Sequence, residues 1–264
     1  MKIVTPASKL CEDAQDSRRI CEASTSLELR PELAIPPRKW QEFSHCHFSD
    51  PLFDINLKWD LDAKARLEQL LKRNSGTPAT LSFHLARDCE GIQTDRDGRY
   101  VPSGRFLPRD EMFSNISDNV EWLTNRFGSQ ILIENNNFYK TGAYDLVTNP
   151  EFISEAIVGS GVGFLFDFAH AAVSAHNLGM SFRQYVDALP LDRVKQIHVS
   201  SPTLGKDGML DSHELPGLDL VNEALVLVGG KTGEAPAITV EYYKNVDILV
   251  SFLQLLSREG RVSK

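Results

Sequence analysis

Short runs of apolar or alternating residues recur along the chain, separated by stretches in which apolar positions fall at helical spacing. The strand-like runs are Lys2–Thr5, Ser26–Arg30, Glu42–Phe48, Thr80–Leu85, Gln130–Glu134, Gly163–Phe168, Val194–Val199 and Ala237–Tyr242. Between Asp60 and Asn74, Leu61, Leu67, Leu70 and Leu71 share one helical face, and Gly76 follows as a stop. The stretch Asp110–Phe127 opens on acidic residues and ends before Gly128, as the helix dipole and a glycine C-cap favour. Helices are also expected over Phe152–Val158, Phe182–Leu189, Leu218–Val228 and Val246–Leu256.

Strands alternating with helices indicate a parallel sheet with crossover helices. With eight strands, a closed α/β barrel, the (β/α)8 or TIM barrel, is favoured over an open sheet. An open doubly wound sheet should also carry a glycine-rich turn after its first strand, and Thr5-Pro6-Ala7-Ser8 is not one. The 264 residues suit one such barrel over 1–264, since the fold takes about 250. No repeat, low-complexity segment or linker divides the chain. Two segments, Arg87–Pro108 and Ser200–Pro216, are long for loops, and both follow strands, so both should lie over the C-terminal face. Gly91, Gly98 and Gly104 are candidate hinges for the first acting as a cover.

Composition adds limits. Hydrophobic residues at 42% and charged residues at 24% are ordinary for a globular core. No apolar run approaches the roughly 18 residues that span a bilayer. The N-terminus lacks a secretory pattern, so a cytoplasmic location without membrane attachment is expected. Cys11, Cys21, Cys46 and Cys89 are scattered and suggest neither a thiolate zinc site nor a disulfide framework. The net charge of −8 argues against nucleic acid as partner, because phosphate binding draws on Lys and Arg.

Only seven histidines are present, and they cluster at strand ends. His45 and His47 close the third strand, His84 the fourth, Glu134 the fifth, Asp167 the sixth, His198 the seventh and Glu241 the eighth. His170 follows Asp167 by three residues, and Asp211 and His213 lie in the loop after His198. Each of these ends is otherwise apolar, so the polar group faces inward. A buried carboxylate is costly unless paired or bound to metal, and several converging carboxylates repel. A cluster of cations relieves both costs. Imidazole with carboxylate suits iron, zinc or manganese, and the lack of thiolates here disfavours an iron–sulfur cluster. Any one of these residues alone would more often be structural; the convergence of six successive strands is what points to metal. His176 sits in a helix-like stretch and is expected at the surface or beyond the ligands, while Ser200 and Ser201 suit either ligand orientation or a turn.

Several segments resemble the multinuclear non-heme iron-dependent oxidative enzymes, a family long filed as a domain of unknown function. They are Ile133-Glu134-Asn135-Asn136, Asn149-Pro150-Glu151-Phe152-Ile153, Phe164-Leu165-Phe166-Asp167 with Ser174-Ala175, Leu189-Pro190-Leu191-Asp192-Arg193-Val194-Lys195-Gln196-Ile197-His198 and Asp211-Ser212-His213. The likeness runs from Thr80 to Tyr242, and Leu27–Glu32 is similar to the family's early strand. The region before Gln41 otherwise departs from the pattern. So does the position after the first ligand histidine, where Cys46 or Phe48 replaces the usual glycine. The resemblance implies a barrel with two or three irons that uses dioxygen as co-substrate to rework residues, often cysteine, of ribosomally made precursor peptides. It implies iron ligands at His84, Glu134, Asp167, His170, His198, Asp211, His213 and Glu241, with the first histidine from Ser44-His45-Cys46-His47. His47 is preferred because it is nearer the strand end, and His45 is the alternative.

On that reading Glu134, His170 and Asp211 carry the chemistry, with Glu134 bridging metals and with Asn135, Asn136 and Tyr139 just outside the ligands. For those last three, a polar turn after a strand explains the sequence as well. Reduced iron would bind the substrate, and oxidation would begin by removing hydrogen from the carbon beside a bound cysteine sulfur. The precursor peptide is the expected partner, with any leader-recognition protein a separate chain. The same ligand order is similar to endonuclease IV, a trinuclear zinc barrel, so a zinc phosphodiester hydrolase is the leading alternative. Single-metal sugar isomerases and epimerases, and a non-catalytic metal- or peptide-binding barrel, follow.

Overall fold

Alternation along each strand explains what the barrel encloses. In the computed structural model, which describes residues 1–32, 43–73 and 78–262, the strands are β1 (Lys2–Pro6), β2 (Ser26–Leu29), β3 (Phe43–Phe48), β4 (Thr80–His84), β5 (Cys89–Thr94), β6 (Tyr100–Phe106), β7 (Gln130–Glu134), β8 (Gly163–Asp167), β9 (Val194–Val199), β10 (Ser201–Gly205), β11 (Gly208–Glu214) and β12 (Ala237–Val240). Eight of them close into a parallel barrel in the order β1-β12-β9-β8-β7-β4-β3-β2. These are the eight runs expected from the sequence. Glu42, Asn74 and Gly76, which bound two of the expected elements, lie outside the described residues.

The helices are α1 (Ala14–Ala23), α2 (Leu61–Lys72), α3 (Arg109–Phe127), α4 (Pro150–Ser160), α5 (Phe168–Leu178), α6 (Phe182–Asp187), α7 (Leu218–Val228) and α8 (Val246–Val262). Asp60 caps α2 by accepting from the Ala63 N–H, and Gly128 ends α3 in the left-handed region at φ 65°. On the outward face of the strands, Leu81, Phe83, Ile131, Ile133, Phe164, Phe166, Ile197, Val199, Ile238 and Val240 join the core with helix residues such as Leu67, Leu71, Ile153 and Ile157. Since side chains alternate across a strand, the intervening positions (Ser82 and His84, Glu134, Asp167, Gln196 and His198, Thr239) face the barrel interior. The interior of the C-terminal end is therefore polar by construction. No helix among the described residues is long and apolar enough to cross a membrane.

The two long segments after β4 and β9 are not open loops. Each folds into an antiparallel hairpin, β5 with β6 and β10 with β11. The glycines expected as hinges of the first serve the hairpin instead. Gly98 makes its turn at φ 83°, and a Cβ on Gly91 would come within 2.1 Å of the Ser103 carbonyl oxygen on the facing strand. Beneath this hairpin Cys89, Phe138, Ala143 and Tyr144 form a small apolar cluster of their own.

Candidate metal centre

Strand register brings the ligand-type residues to one level. His84 of β4 pairs with Glu134 of β7, and Asp167 of β8 pairs with His198 of β9. Glu241 follows β12 directly, its N–H donating to the Val199 carbonyl. His170 lies in the first turn of α5, where the Asp167 side chain accepts its N–H at 2.7 Å through Oδ1 and caps the helix. Asp167 is thus a helix cap and leaves Oδ2 for the interior. Asp211 and His213 come from β11, and His213 adopts φ 47°, a left-handed backbone unusual for a non-glycine residue.

Within this ring three nodes can be distinguished. In the first, His84 Nε2 and His47 Nε2 lie 2.7 and 3.4 Å from Glu134 Oε2, and 3.2 Å from each other. In the second, His198 Nδ1 lies 2.9 Å from Glu134 Oε1, 3.5 Å from Glu241 Oε1 and 3.9 Å from Asp167 Oδ2. In the third, Asp211 Oδ2 lies 3.3 Å from His170 Nε2 and 3.5 Å from His213 Nε2, which is itself 3.4 Å from Glu241 Oε2. Glu134 and Glu241 each turn one oxygen to one node and one to the next. The groups His47–His84–Glu134, Glu134–Asp167–His198 and Glu28–His198–Glu241 each bring three donors close enough to share an ion.

Several atoms of the ring approach one another without a hydrogen bond. Glu134 Oε2, Asp167 Oδ2, Asp211 Oδ1 and His198 Nδ1 are buried without a hydrogen-bond partner. Lone pairs converging at these distances could be shared by a cation. The ring also strongly perturbs the ionisation of its members. Burial opposes charge on His170 and His198, but Asp167 and Asp211 raise the first, and Glu28, Glu241 and Glu134 the second, well above the usual imidazole range. Burial together with Glu241 and Glu134 pushes Asp167 up to about 7, although His170 opposes it. Burial, aided by Arg30, pulls His47 well below its usual value. Cation binding should therefore expel protons shared among these groups.

Positions outside the nodes hydrogen-bond to these side chains and to their backbone. Ser82 Oγ is 3.0 Å from His47 Nδ1, and the His170 Nδ1–H donates to the Asn135 carbonyl at 2.7 Å. The Asn135 side chain bridges to the N–H and carbonyl of Asp167, both at 2.9 Å, so it braces two strand ends. The Asn136 amide donates to the Ala86 carbonyl. The Tyr139 hydroxyl accepts from the Asp211 N–H at 3.2 Å. His45, the alternative to His47, sits one layer deeper beside Glu28 and Thr80, with Nδ1 2.5 Å from Ser44 Oγ, and burial lowers its pKa to about 4. His176 is exposed and borders the outer cavity. Ser200 is buried, its hydroxyl without a hydrogen-bond partner, while Ser201 opens β10. None of the four cysteines enters a candidate metal group or a disulfide.

Sequence reasoning missed Glu28, Arg30 and Tyr243. Glu28 is fully buried, and Arg30 bridges it, at 2.8 Å, to Glu241. The Tyr243 hydroxyl donates to Glu241 Oε1 at 3.1 Å. The signal was present: Glu28 and Arg30 interleave with apolar Leu27 and Leu29, the pattern read at the other strand ends.

From His84 and Asp211 a cavity of about 320 Å³ leads outward between the hairpins, past Asn136, Tyr139 and Tyr144 to Arg99. A second cavity of about 600 Å³ shares Arg99 and Tyr139 and continues to Lys140 and His176.

A family model described as RiPP precursor modification enzyme MbnB/TglH/ChrH matches residues 60–258, a span that holds eight of the nine expected ligands. The chain belongs to this family. Among similar proteins, a UPF0276 protein of Bordetella parapertussis is 29% identical over 213 residues, 77% of this chain and 69% of that protein. A UPF0276 protein of Caulobacter vibrioides is 29% identical over 129 residues, so the match spans 49% of this chain and about half, 46%, of that relative. Among solved structures, endonuclease IV from Thermus thermophilus superposes with TM-score 0.56 at 13% identity, covering 100% of both chains. A D-tagatose 3-epimerase-like protein gives 0.59 at 16%, covering 98% of this chain and 96% of its own. At such identities the likeness is one of fold.

Proposed function

We propose that this chain is a metalloenzyme that oxidatively modifies a residue, a cysteine, of a ribosomally made precursor peptide, with two or three irons as cofactor and dioxygen as co-substrate. The observation that carries the reading is the ring of buried imidazoles and carboxylates in which Glu134 Oε2, Asp167 Oδ2, Asp211 Oδ1 and His198 Nδ1 lack a hydrogen-bond partner, in a chain of this family. A donor set of imidazole and carboxylate without thiolate suits iron, manganese or zinc. His47, His84 and Glu134 would hold one ion. His198, Glu134, Asp167 and Glu241 would hold a second, and His170, Asp211, His213 and Glu241 a third. Bound iron would supply Lewis acidity and the redox equivalents for the oxidation.

The protein's own contribution is position and enclosure. Glu134, with an oxygen in each of two nodes, sets their separation, and Ser82 and Asn135 hold histidines with the free nitrogen inward. The inner cavity admits a side chain to the ring, and the outer one leaves room for flanking peptide. Tyr139, accepting from Asp211, keeps its own proton for a substrate carbonyl at the cavity wall. Residues of both hairpins, Tyr100 of one and Asp211 of the other, line the inner cavity. A separate protein that holds the leader of the peptide completes the proposed system.

Metal analysis of anaerobically purified protein, followed by dioxygen uptake with precursor peptide, tests this reading. Two or three irons per chain and peptide-dependent uptake are expected. Zinc occupancy with phosphodiester cleavage would instead establish the hydrolytic alternative.

A further inference from the structure

His198 has two ring nitrogens, and its surroundings give them different tasks. Nε2 lies 2.9 Å from Glu28 Oε2 and 3.2 Å from the Gln196 amide nitrogen, whose two hydrogens are directed to the same Glu28 oxygen at 2.5 Å and to Thr239 Oγ1 at 2.8 Å. Arg30 sits 2.8 Å from the other oxygen, Oε1. A carboxylate held by a guanidinium and an amide N–H is ionised, and an ionised carboxylate only accepts. The hydrogen between Glu28 and His198 therefore belongs to His198 Nε2. A neutral imidazole protonated there carries its lone pair on Nδ1, the nitrogen that faces Glu134, Glu241 and Asp167 without a hydrogen bond.

We propose that Glu28 is a positioning residue of the metal centre: by accepting the Nε2–H it fixes the His198 tautomer and presents Nδ1 to the cation shared with Glu134, Asp167 and Glu241. The inference rests on the metal-centre reading above. It adds a buried anion from β2, a strand that lends no ligand to the expected set. The contrast with neighbouring histidines is chemical. His47 is anchored by a hydroxyl and His170 by a backbone carbonyl, both neutral, whereas His198 is anchored by a carboxylate. A charged acceptor makes the opposite nitrogen a more basic donor and holds the ring plane. Arg30 spans Glu28 and Glu241, so anchor and ligand are tied together from beneath the ring.

Zinc titration of the metal-stripped full chain, in competition with a chromophoric chelator, tests the proposal together with nitrogen-15 spectra of histidine-labelled protein. Glu28→Gln keeps the side-chain shape and removes the charge. The expected result is one zinc site weakened about 10- to 100-fold in Glu28→Gln, with the His47–His84–Glu134 site unchanged. Wild-type His198 should show a proton on Nε2 both before and after zinc is added. A proton that stays on Nδ1 once zinc is bound, or loss of the Nε2–H on zinc binding because Glu28 ligates directly, overturns the proposal. So does a Glu28→Gln protein with wild-type zinc affinities. Wild-type protein that takes up no zinc overturns the metal-centre reading itself, and this inference with it.

Discussion

Glu134 sends Oε2 toward His47 and His84 and Oε1 toward His198, whereas the His170 ring nitrogen Nε2 serves one node. Glu134→Ala should therefore lose up to two ions per chain and His170→Ala one, both with wild-type circular dichroism. Either variant with full metal content would show that its side chain is no ligand. Asp54 illustrates a residue whose effect is on stability. It is buried with Arg87 Nε 3.3 Å away, and burial, partly offset by Arg87, pushes its carboxyl from 3.8 up to about 7. Between about pH 4 and 7 the folded protein keeps a proton that the unfolded chain releases, so stability from this group falls as pH rises through that window. The full shift corresponds to about 4 kcal/mol. Asp54→Asn should flatten the pH dependence measured by urea unfolding between pH 5 and pH 8. An unaltered slope would mean that Asp54 titrates normally.

At the level of elements, much was legible because strand periodicity reports burial directly. Leu81–Phe83 and Ile131–Ile133 alternate with the polar positions that line the ring, so parity placed His84 and Glu134 without a structure. Three features escaped that signal. Helix α1, with Ile20 and Ala23 buried amid charged residues, has too few apolar positions to declare itself. Helix α5 follows β8 without a break, because Asp167 ends the strand and caps the helix at once. The hairpins hid in segments whose half-exposed strands show no clean alternation. One hairpin depends on a contact distant in sequence. Asn177 of α5 accepts the Met209 N–H at 2.8 Å and donates to the Met209 and Phe138 carbonyls at 3.0 and 2.9 Å. A Cβ on Gly208 would lie 2.4 Å from Asn177 Oδ1, at a backbone φ of 128°. Asn177→Ala and Gly208→Ala should each loosen β11, by about 1 to 3 kcal/mol. Limited proteolysis should then cut near Gly208 faster, while ions held by barrel strands alone remain. Unchanged proteolysis would show that the hairpin is held by other contacts.

For the molecule as a whole, the acids of the ring set the terms. Glu28, Glu134, Asp167 and Glu241 are all nearly inaccessible to solvent, and Arg30 pairs with two of them. Bound cations should raise thermal stability because the unfolded chain does not assemble the ring. At free metal near 100 times the dissociation constant, the gain is about 2.7 kcal/mol per site. A chelator should lower the melting temperature in the wild type and lower it less in Glu134→Ala, which keeps at most the node of His170, Asp211, His213 and Glu241. Equal sensitivity in both would place the stabilising ion elsewhere.

If Asp167 holds metal as proposed, while also capping α5, that double duty limits what can replace it. Residues that cap a helix well are Ser, Thr, Asn and Asp, while those that bind hard or borderline cations through oxygen or nitrogen are Asp, Glu and His. Among the cap formers aspartate alone also brings a negative charge to a cation. A descendant that abandoned the metal would be free to drift here to asparagine or serine, preserving the helix while recording the lost chemistry in a single letter.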